Sequence, residues 1–205
     1  MALFSASQQK AIATAIERVE RSTSGELVVV HTARSHDYGF IRSSFAFLLS
    51  VLLLDVTHWL HPGLHLSWLL FGQIALAATL YALSGVGPLL RVLVPRSVQA
   101  ERCLERAVRA MLEQGVIETR DRSGVLIFLS EAEHRVVILA DKGINDRVEP
   151  GEWDRDVDVL VQALKQGQAA DGLLSVVDRI GQLLVQSFPP RADDANELSN
   201  APRQI

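Results

Sequence analysis

Carboxylates are the side chains in this sequence whose types and spacing offer chemistry. Glu26 opens one short apolar run and Asp141 closes another, with Asp146, Glu149, Glu152 and Asp154 following closely. Two or three such carboxylates, with backbone carbonyls, can hold a hard divalent cation such as calcium or magnesium. A water activated by that ion can hydrolyse a phosphate ester. Glu26, Asp141 and Asp146 are therefore the candidate metal ligands. A plainer reading competes: Thr23-Ser24-Gly25 stops a helix through a left-handed Gly25, Asp141 is a turn residue, and the later acids are helix N-terminal charges favoured by the dipole. No spacing matches an EF-hand loop.

Other chemistries find less support. The sequence has no GxSxG, P-loop, HExxH or CxxC pattern, so no catalytic residue is assigned. Cys103 is the sole cysteine; it sits on an apolar helical face, reads as packing, and allows no intrachain disulfide. Ser130, Glu131, Glu133 and His134, near His31, can be drawn as a Ser/His/Glu arrangement, but their spacing suits a solvated β-turn better. Asp55 is the one costly residue in an apolar stretch, with His58 three residues on along the same helical face to pair with it, and intramembrane carboxylates are functional candidates by default. The other reading places Asp55 close enough to a membrane interface to reach water. His58, His61 and His65 read as an interfacial loop rather than a metal site, because Pro62 and Gly63 break any helix between them.

The elements that position these residues follow from periodicity. Ser5 with Gln8 forms a capping-box pattern before a helix to Arg21 whose apolar face is Ala11, Ile12, Ala15, Ile16 and Val19. Glu26–His31 is a β-branched run suited to a strand covered on both faces. A helix at 97–118 carries Ala100, Cys103, Leu104, Ala107, Val108, Met111 and Leu112 on its apolar face. Strands at Val125–Leu129 and His134–Ala140 form a hairpin. Two further helices carry Trp153 to Leu164 and Leu173 to Leu184. The first strand, the helix at 97–118 and the second strand make a right-handed crossover with parallel strands. The third strand, antiparallel to the second, then ends where the first two begin, which gathers Glu26, Gly124 and Asp141 at one sheet edge.

Between the first strand and that crossover helix lies a stretch from Ser44 to Leu90 whose only acidic or basic residue, histidine aside, is Asp55. Its two limbs, about Ser44–Leu60 and Leu66–Leu83, each approach the roughly 20 residues a bilayer core requires. Trp59 and Trp68 flank the loop at headgroup level. Arg34 and Arg42 precede the hairpin and Arg91, Arg96 and Arg102 follow it, so the positive-inside rule places the soluble part in the cytoplasm and the loop outside. The competing reading is an apolar helical pair buried in a soluble oligomer.

The chain has 205 residues, a formal charge of −4 and 48% apolar residues, the apolar excess lying in the hairpin. That charge gives no footprint for nucleic acid. The first 20 residues lack the basic and apolar regions of a secretory signal. One helix and one strand cannot form a core alone, but 1–33 joined to 97–188 supplies roughly 125 residues, enough for one. The expected organisation is a discontinuous soluble domain (1–33 plus 97–188), an inserted transmembrane hairpin (44–90) and a disordered tail (189–205).

Thr23-Ser24-Gly25-Glu26-Leu27-Val28-Val29, Gly124–Ser130, Arg135–Ile144, Trp153 and the closing Gly172-Leu173…Ile180-Gly181…Leu184…Phe188-Pro189 together resemble the TPM domain, the family of thylakoid lumen phosphatase-like and photosystem II repair proteins. The resemblance implies an α/β fold, an α/β/α sandwich on a small mixed sheet. It also implies a role in assembly or repair of membrane complexes, or acid phosphatase activity. Many members add a spanning helix after the domain, whereas this chain inserts a two-pass hairpin within it. The expected function is a membrane-anchored binding, assembly or quality-control accessory for membrane-protein complexes. The alternative is a divalent-metal-dependent acid-phosphatase-like hydrolase at the cytoplasmic membrane face.

Overall fold

The structure, a computed structural model, describes residues 3–149, 151–190 and 198–205. These divide into two compact units, one of Met1–Ser35 with Ala100–Ile205 and the other of His36–Gln99.

The first unit is built on a mixed sheet of order β3-β2-β1-β4. Strand β1 (Glu26–Thr32) runs parallel to β2 (Gly124–Ser130), with Glu26 opposite Gly124 and Thr32 opposite Ser130. Strand β3 (Arg135–Ala140) is antiparallel to β2, so the crossover and hairpin expected from the sequence are both present. Every residue of β1 and β2 is buried, which accounts for their unbroken apolar character: each successive side chain points to the opposite face, and both faces are covered. Leu27, Val29, Val125, Ile127 and Leu129 pack under helices α1 (Ala6–Glu20), α7 (Asp154–Lys165) and α8 (Ala169–Ser187). On the other face Val28, Val30, Leu126 and Phe128 meet Cys103, Ala107 and Met111 of α5 (Arg96–Glu113). The fold is α/β, with helices on both faces of the sheet.

Local chemistry explains the element ends. Ser5 and Gln8 form the capping box of α1, the Gln8 N–H donating to Ser5 Oγ at 3.3 Å and the Ser5 N–H to Gln8 Oε1 at 2.8 Å. Gly25 does not take the left-handed turn that its place after a helix suggests. A Cβ there would come within 3.1 Å of Leu184, so close packing against α8 accounts for the glycine. At Gly124 a Cβ would lie 2.2 Å from the Val116 carbonyl of the short 3₁₀ turn Val116–Glu118, so β2 begins where that backbone crosses it.

The expected disordered tail is corrected at its end. Residues 191–197 lie outside the described residues, but within 198–205 the chain joins the sheet. Arg203–Gln204 forms β4, pairing parallel to β1 at Val30 and His31, and Leu198 and Ile205 lie against the α5 cluster. An exposed sheet edge is a template for pairing, and this segment supplies the partner despite its polar composition.

The second unit contains α2 (Gly39–Leu60), α3 (Leu66–Ser84) and α4 (Gly87–Leu93). Helix α2 starts five residues earlier than the expected limb, because Tyr38 at φ 53 turns the chain into it. Small residues Ala46 and Ser50 are buried on α2, as suits close helix approach without a water-driven core. Arg42 is itself buried. Its guanidinium donates to Asp37 Oδ1 at 3.1 Å and to the Tyr81 carbonyl at 3.1 Å, and lies 4.4 Å over the Tyr81 ring. It thereby ties the start of α2 to the last turn of α3, where a cation also suits the helix dipole. Both helices are long and apolar enough to cross a membrane by length and composition, and only 17% and 6% of their most apolar stretches are buried.

Candidate functional site

The edge where β1 and β2 begin gathers the polar groups that the topology predicted, but each is already engaged. The Glu26 N–H donates to the Ser123 carbonyl at 3.1 Å, Ser123 Oγ to the Ser24 carbonyl at 2.8 Å, and Thr23 Oγ1 to the Phe188 carbonyl at 2.6 Å. These hydroxyls stitch the loops together. Asp141 caps α6 (Lys142–Asn145) through the Lys142 N–H at 2.6 Å. The same carboxylate takes the Arg122 fork, Nε at 2.6 Å and Nη2 at 3.0 Å. A bidentate, charge-assisted pair of this kind satisfies both oxygens. Arg122 reaches it from a left-handed backbone at φ 55.

Glu26 is buried beside Glu20, the last residue of α1. Glu20 Oε1 accepts the Leu27 N–H at 3.0 Å and Oε2 the Asn200 side-chain N–H at 2.6 Å. Burial, reinforced by the Glu26 charge, pushes the Glu20 carboxyl up to about 8, so at neutral pH Glu20 is mostly protonated.

Glu26 and Asp141 therefore share an edge but answer to different partners, on backbones two strand spacings apart, roughly 10 Å. Asp146 is exposed at the far end of α6. Among the described residues no group of three or more His, Cys, Asp or Glu is placed to hold a metal ion. Glu152 belongs elsewhere: with Asp156, which is buried, it takes the Arg179 guanidinium, each at 3.0 Å. Burial raises the Asp156 carboxyl and Arg179 opposes that rise.

The opposite edge departs from the expected solvated turn. Ser130 and Glu133 are buried. Glu133 accepts from the Ser35 N–H at 3.0 Å and the Ser35 hydroxyl at 2.7 Å, and from Ser130 Oγ. His31 is fully buried, edge-on to the Phe4 ring at 5.2 Å. Its Nδ1 is 3.9 Å from Glu131 Oε1, beyond hydrogen-bonding distance. Burial lowers the His31 imidazole and raises the Glu131 carboxyl, so both favour the neutral form. Ser130 thus turns to Glu133 rather than to His31, and no nucleophile–base pair forms between them. Cys103 is buried against the sheet, its thiol pushed up to about 12 by burial, which suits packing rather than attack. Asp55 and His58 are both exposed on α2.

The helix expected to bury seven apolar residues buries only part of them. Cys103, Ala107 and Met111 face the sheet, whereas Leu104, Val108 and Leu112 are 47%, 45% and 56% exposed. Spaced four apart, they make one apolar stripe along α5. Arg102–Glu105 and Arg106–Glu113 ion pairs, at 2.8 and 3.0 Å, lie on the same helix. A 450 Å³ hollow lined by Leu112, Gln114, Glu118 and Leu198 continues the stripe. The sequence holds the signal for this surface in retrospect: seven apolar positions form a wider band than one sheet face covers.

Comparison with known proteins adds two findings. The family model described as TPM_phosphatase, TPM domain, matches residues 79–183. That span takes in α5, β2, β3, α6, α7 and most of α8. Among solved structures, the chain is similar to the NMR structure of BA42 protein from the psychrophilic bacterium Bizionia argentinensis. The TM-score is 0.62 and the identity 22%, over 98% of this chain and 95% of that one. At that identity the likeness concerns the fold. No curated protein matches the chain.

Proposed function

Because the chain belongs to the TPM domain family, we propose that it is a membrane-anchored accessory whose soluble unit binds membrane-protein complexes for assembly or quality control. The observation that carries this reading is the apolar stripe Leu104, Val108 and Leu112 on the outside of an otherwise well-packed unit. Apolar anchors at helical spacing are the means by which a helix face docks to a protein groove. The anchor is the α2–α3 pair, whose exposed Phe47, Leu48, Trp59, Trp68, Phe71 and Ile74 suit hydrocarbon and headgroups rather than water. The arginines at its base and the loop without Lys or Arg support a cytoplasmic position for the soluble unit. Crosslinking in membranes tests the binding role. Val108→Asp is expected to remove crosslinks between the soluble unit and membrane proteins while leaving its circular dichroism unchanged; crosslinks that persist would overturn the reading.

The phosphatase alternative draws on the buried Glu20–Glu26 pair, where burial and the neighbouring acid raise the Glu20 carboxyl. Such a group is suited to act as a general acid. Calcium- or magnesium-dependent hydrolysis of a phosphate monoester, abolished by both Glu26→Gln and Asp141→Ala, would replace the accessory reading. Our reading expects no metal-dependent turnover.

A further inference from the structure

A hollow of about 260 Å³ opens between α2 and α3, with Ser50, Thr57, Trp68, Gly72, Gln73 and Leu76 in its lining. Both hydroxyls are engaged within their own helix: Ser50 Oγ donates to the Phe47 carbonyl at 2.8 Å and Thr57 Oγ1 to the Leu53 carbonyl at 2.7 Å. Gln73 is not. Its carboxamide, half-buried on α3, makes no hydrogen bond to any described residue. It lies roughly 10 Å along α3 from Leu66, well inside a hydrocarbon core about 30 Å thick. No water is there to bond it, and an unmatched amide in such surroundings is costly. A glutamine in a spanning helix meets that cost by hydrogen-bonding across to another helix. Beside it, a Cβ on Gly72 would meet nothing within 4 Å, so a further helix can approach α3 closely at this level.

We propose that the α2–α3 hollow is a pairing surface for a second copy of this chain in the same membrane, closed by mutual hydrogen bonding of the two Gln73 carboxamides. Volume and chemistry select that occupant. The hollow is smaller than the roughly 300–1,000 Å³ of a pocket for a drug-sized ligand and suits interdigitating side chains. A lipid acyl chain fits the space but carries no polar group to meet the amide. A carboxamide is both donor and acceptor, so each Gln73 supplies what the other needs. A two-fold axis along the membrane normal sets the two at equal depth, a match that the helix of an unrelated membrane protein has no built-in reason to offer. The inference rests on the reading of α2 and α3 as a bilayer anchor and extends that anchor to the pairing of two chains.

The test is sedimentation equilibrium of the full chain in density-matched micelles over a range of protein-to-detergent ratios. The unaltered chain is expected to show a monomer–dimer equilibrium. Gln73→Leu should raise its dissociation constant at least tenfold, whereas Gln73→Asn, which keeps donor and acceptor, should stay within about threefold of the parent. Gly72→Leu, which obstructs the close approach, should also weaken pairing at least tenfold. A chain that is monomeric at every ratio, or a dimer that Gln73→Leu leaves as strong, overturns the proposal. Gln73-dependent co-purification of another membrane protein with a monomeric chain also overturns it, assigning the hollow to that protein. If Gln73→Leu fails to fold, Leu76→Cys in lipid vesicles decides: this residue lines the hollow and the chain's own Cys103 is buried, so oxidation links the copies if they pair there and leaves single chains if they do not. A monomeric chain that resists carbonate extraction from membranes removes the pairing alone. Release by carbonate removes the anchor reading and the pairing with it.

Discussion

The two units of this chain place their apolar residues in opposite directions. In the sheet unit β1 and β2 are buried along their whole length. In the hairpin unit Phe47 is 60% exposed, Phe71 69% and Trp59 81%. Both are helix-rich and apolar, yet only the first closes on itself. Water drives the first arrangement; in the second, side chains left exposed to water would forgo about 1.5–3 kcal/mol each. A lipid surround removes the conflict, since the hairpin can be held by small residues and polar contacts without a core of its own. Arg42 is the clearest such contact, while in the sheet unit the charges Arg122–Asp141 and Arg179–Asp156 close loops and helix ends around an existing core.

The comparison can be broken from either side. The largest effect is expected from Gly124→Val, which drives a side chain into the Val116 carbonyl. It should cost the sheet unit about 3 kcal/mol or more, read as loss of its cooperative melt, while the helical signal of the hairpin in micelles survives. If both units melt together, they are one folding unit.

Arg42→Leu comes next. It leaves Asp37 and the Tyr81 carbonyl without the guanidinium and should weaken the α2–α3 pair by about 2 kcal/mol, measured by unfolding in mixed micelles. An unchanged midpoint would show the clamp to be incidental.

The sheet unit should also respond to pH. Folded Glu20 keeps its proton to about 8, against an ordinary 4.5. The folded state then binds more protons than the unfolded one between these values. The stability this provides is full below about 4.5 and is lost as pH rises through about 8. Glu20→Gln should flatten that decline, gaining on the order of 2 kcal/mol at pH 8.5 relative to pH 5, after discounting for partial exposure. A variant with the parent's pH dependence would contradict the carboxyl pair. The smallest effect is expected at Asp55: exposed and near the end of α2, it should change stability by less than about 0.5 kcal/mol as Asp55→Asn, and a larger loss would point to a buried partner for it.

The arrangement of β1, β2 and β3 and the two long apolar helices were legible because they rest on period and length, whereas β4 was not. Val28-Val29-Val30 and Leu126-Ile127-Phe128 read as strands covered twice, and, histidine aside, no acidic or basic residue interrupts the limbs at 44–60 and 66–83 except Asp55. The capping box at Ser5 and Gln8 was legible because it is local. What the sequence does not display is partner choice among side chains far apart in the chain. Asp141 looked available because Arg122 reads as a turn residue, and nothing local says that its left-handed backbone aims the fork at Asp141. Glu20 carries no local signal, because its partner Asn200 lies far along the chain in a polar tail. Ser130 and Glu133 looked solvated because Ser35, which buries them, is remote in sequence. The α5 stripe was merged into the core because periodicity marks an apolar face without saying how much of it another element covers.

The central claim is that α2 and α3 lie in a bilayer and hold the sheet unit at its surface. Alkaline carbonate extraction of membranes containing the full chain, followed by protease treatment of sealed vesicles of known orientation, tests it most directly. The account predicts that the chain stays in the membrane pellet, that a fragment spanning 39–84 is protected, and that the sheet unit is cut only when its cytoplasmic face is exposed. A chain released by carbonate into the soluble fraction, with no protected fragment, would contradict it.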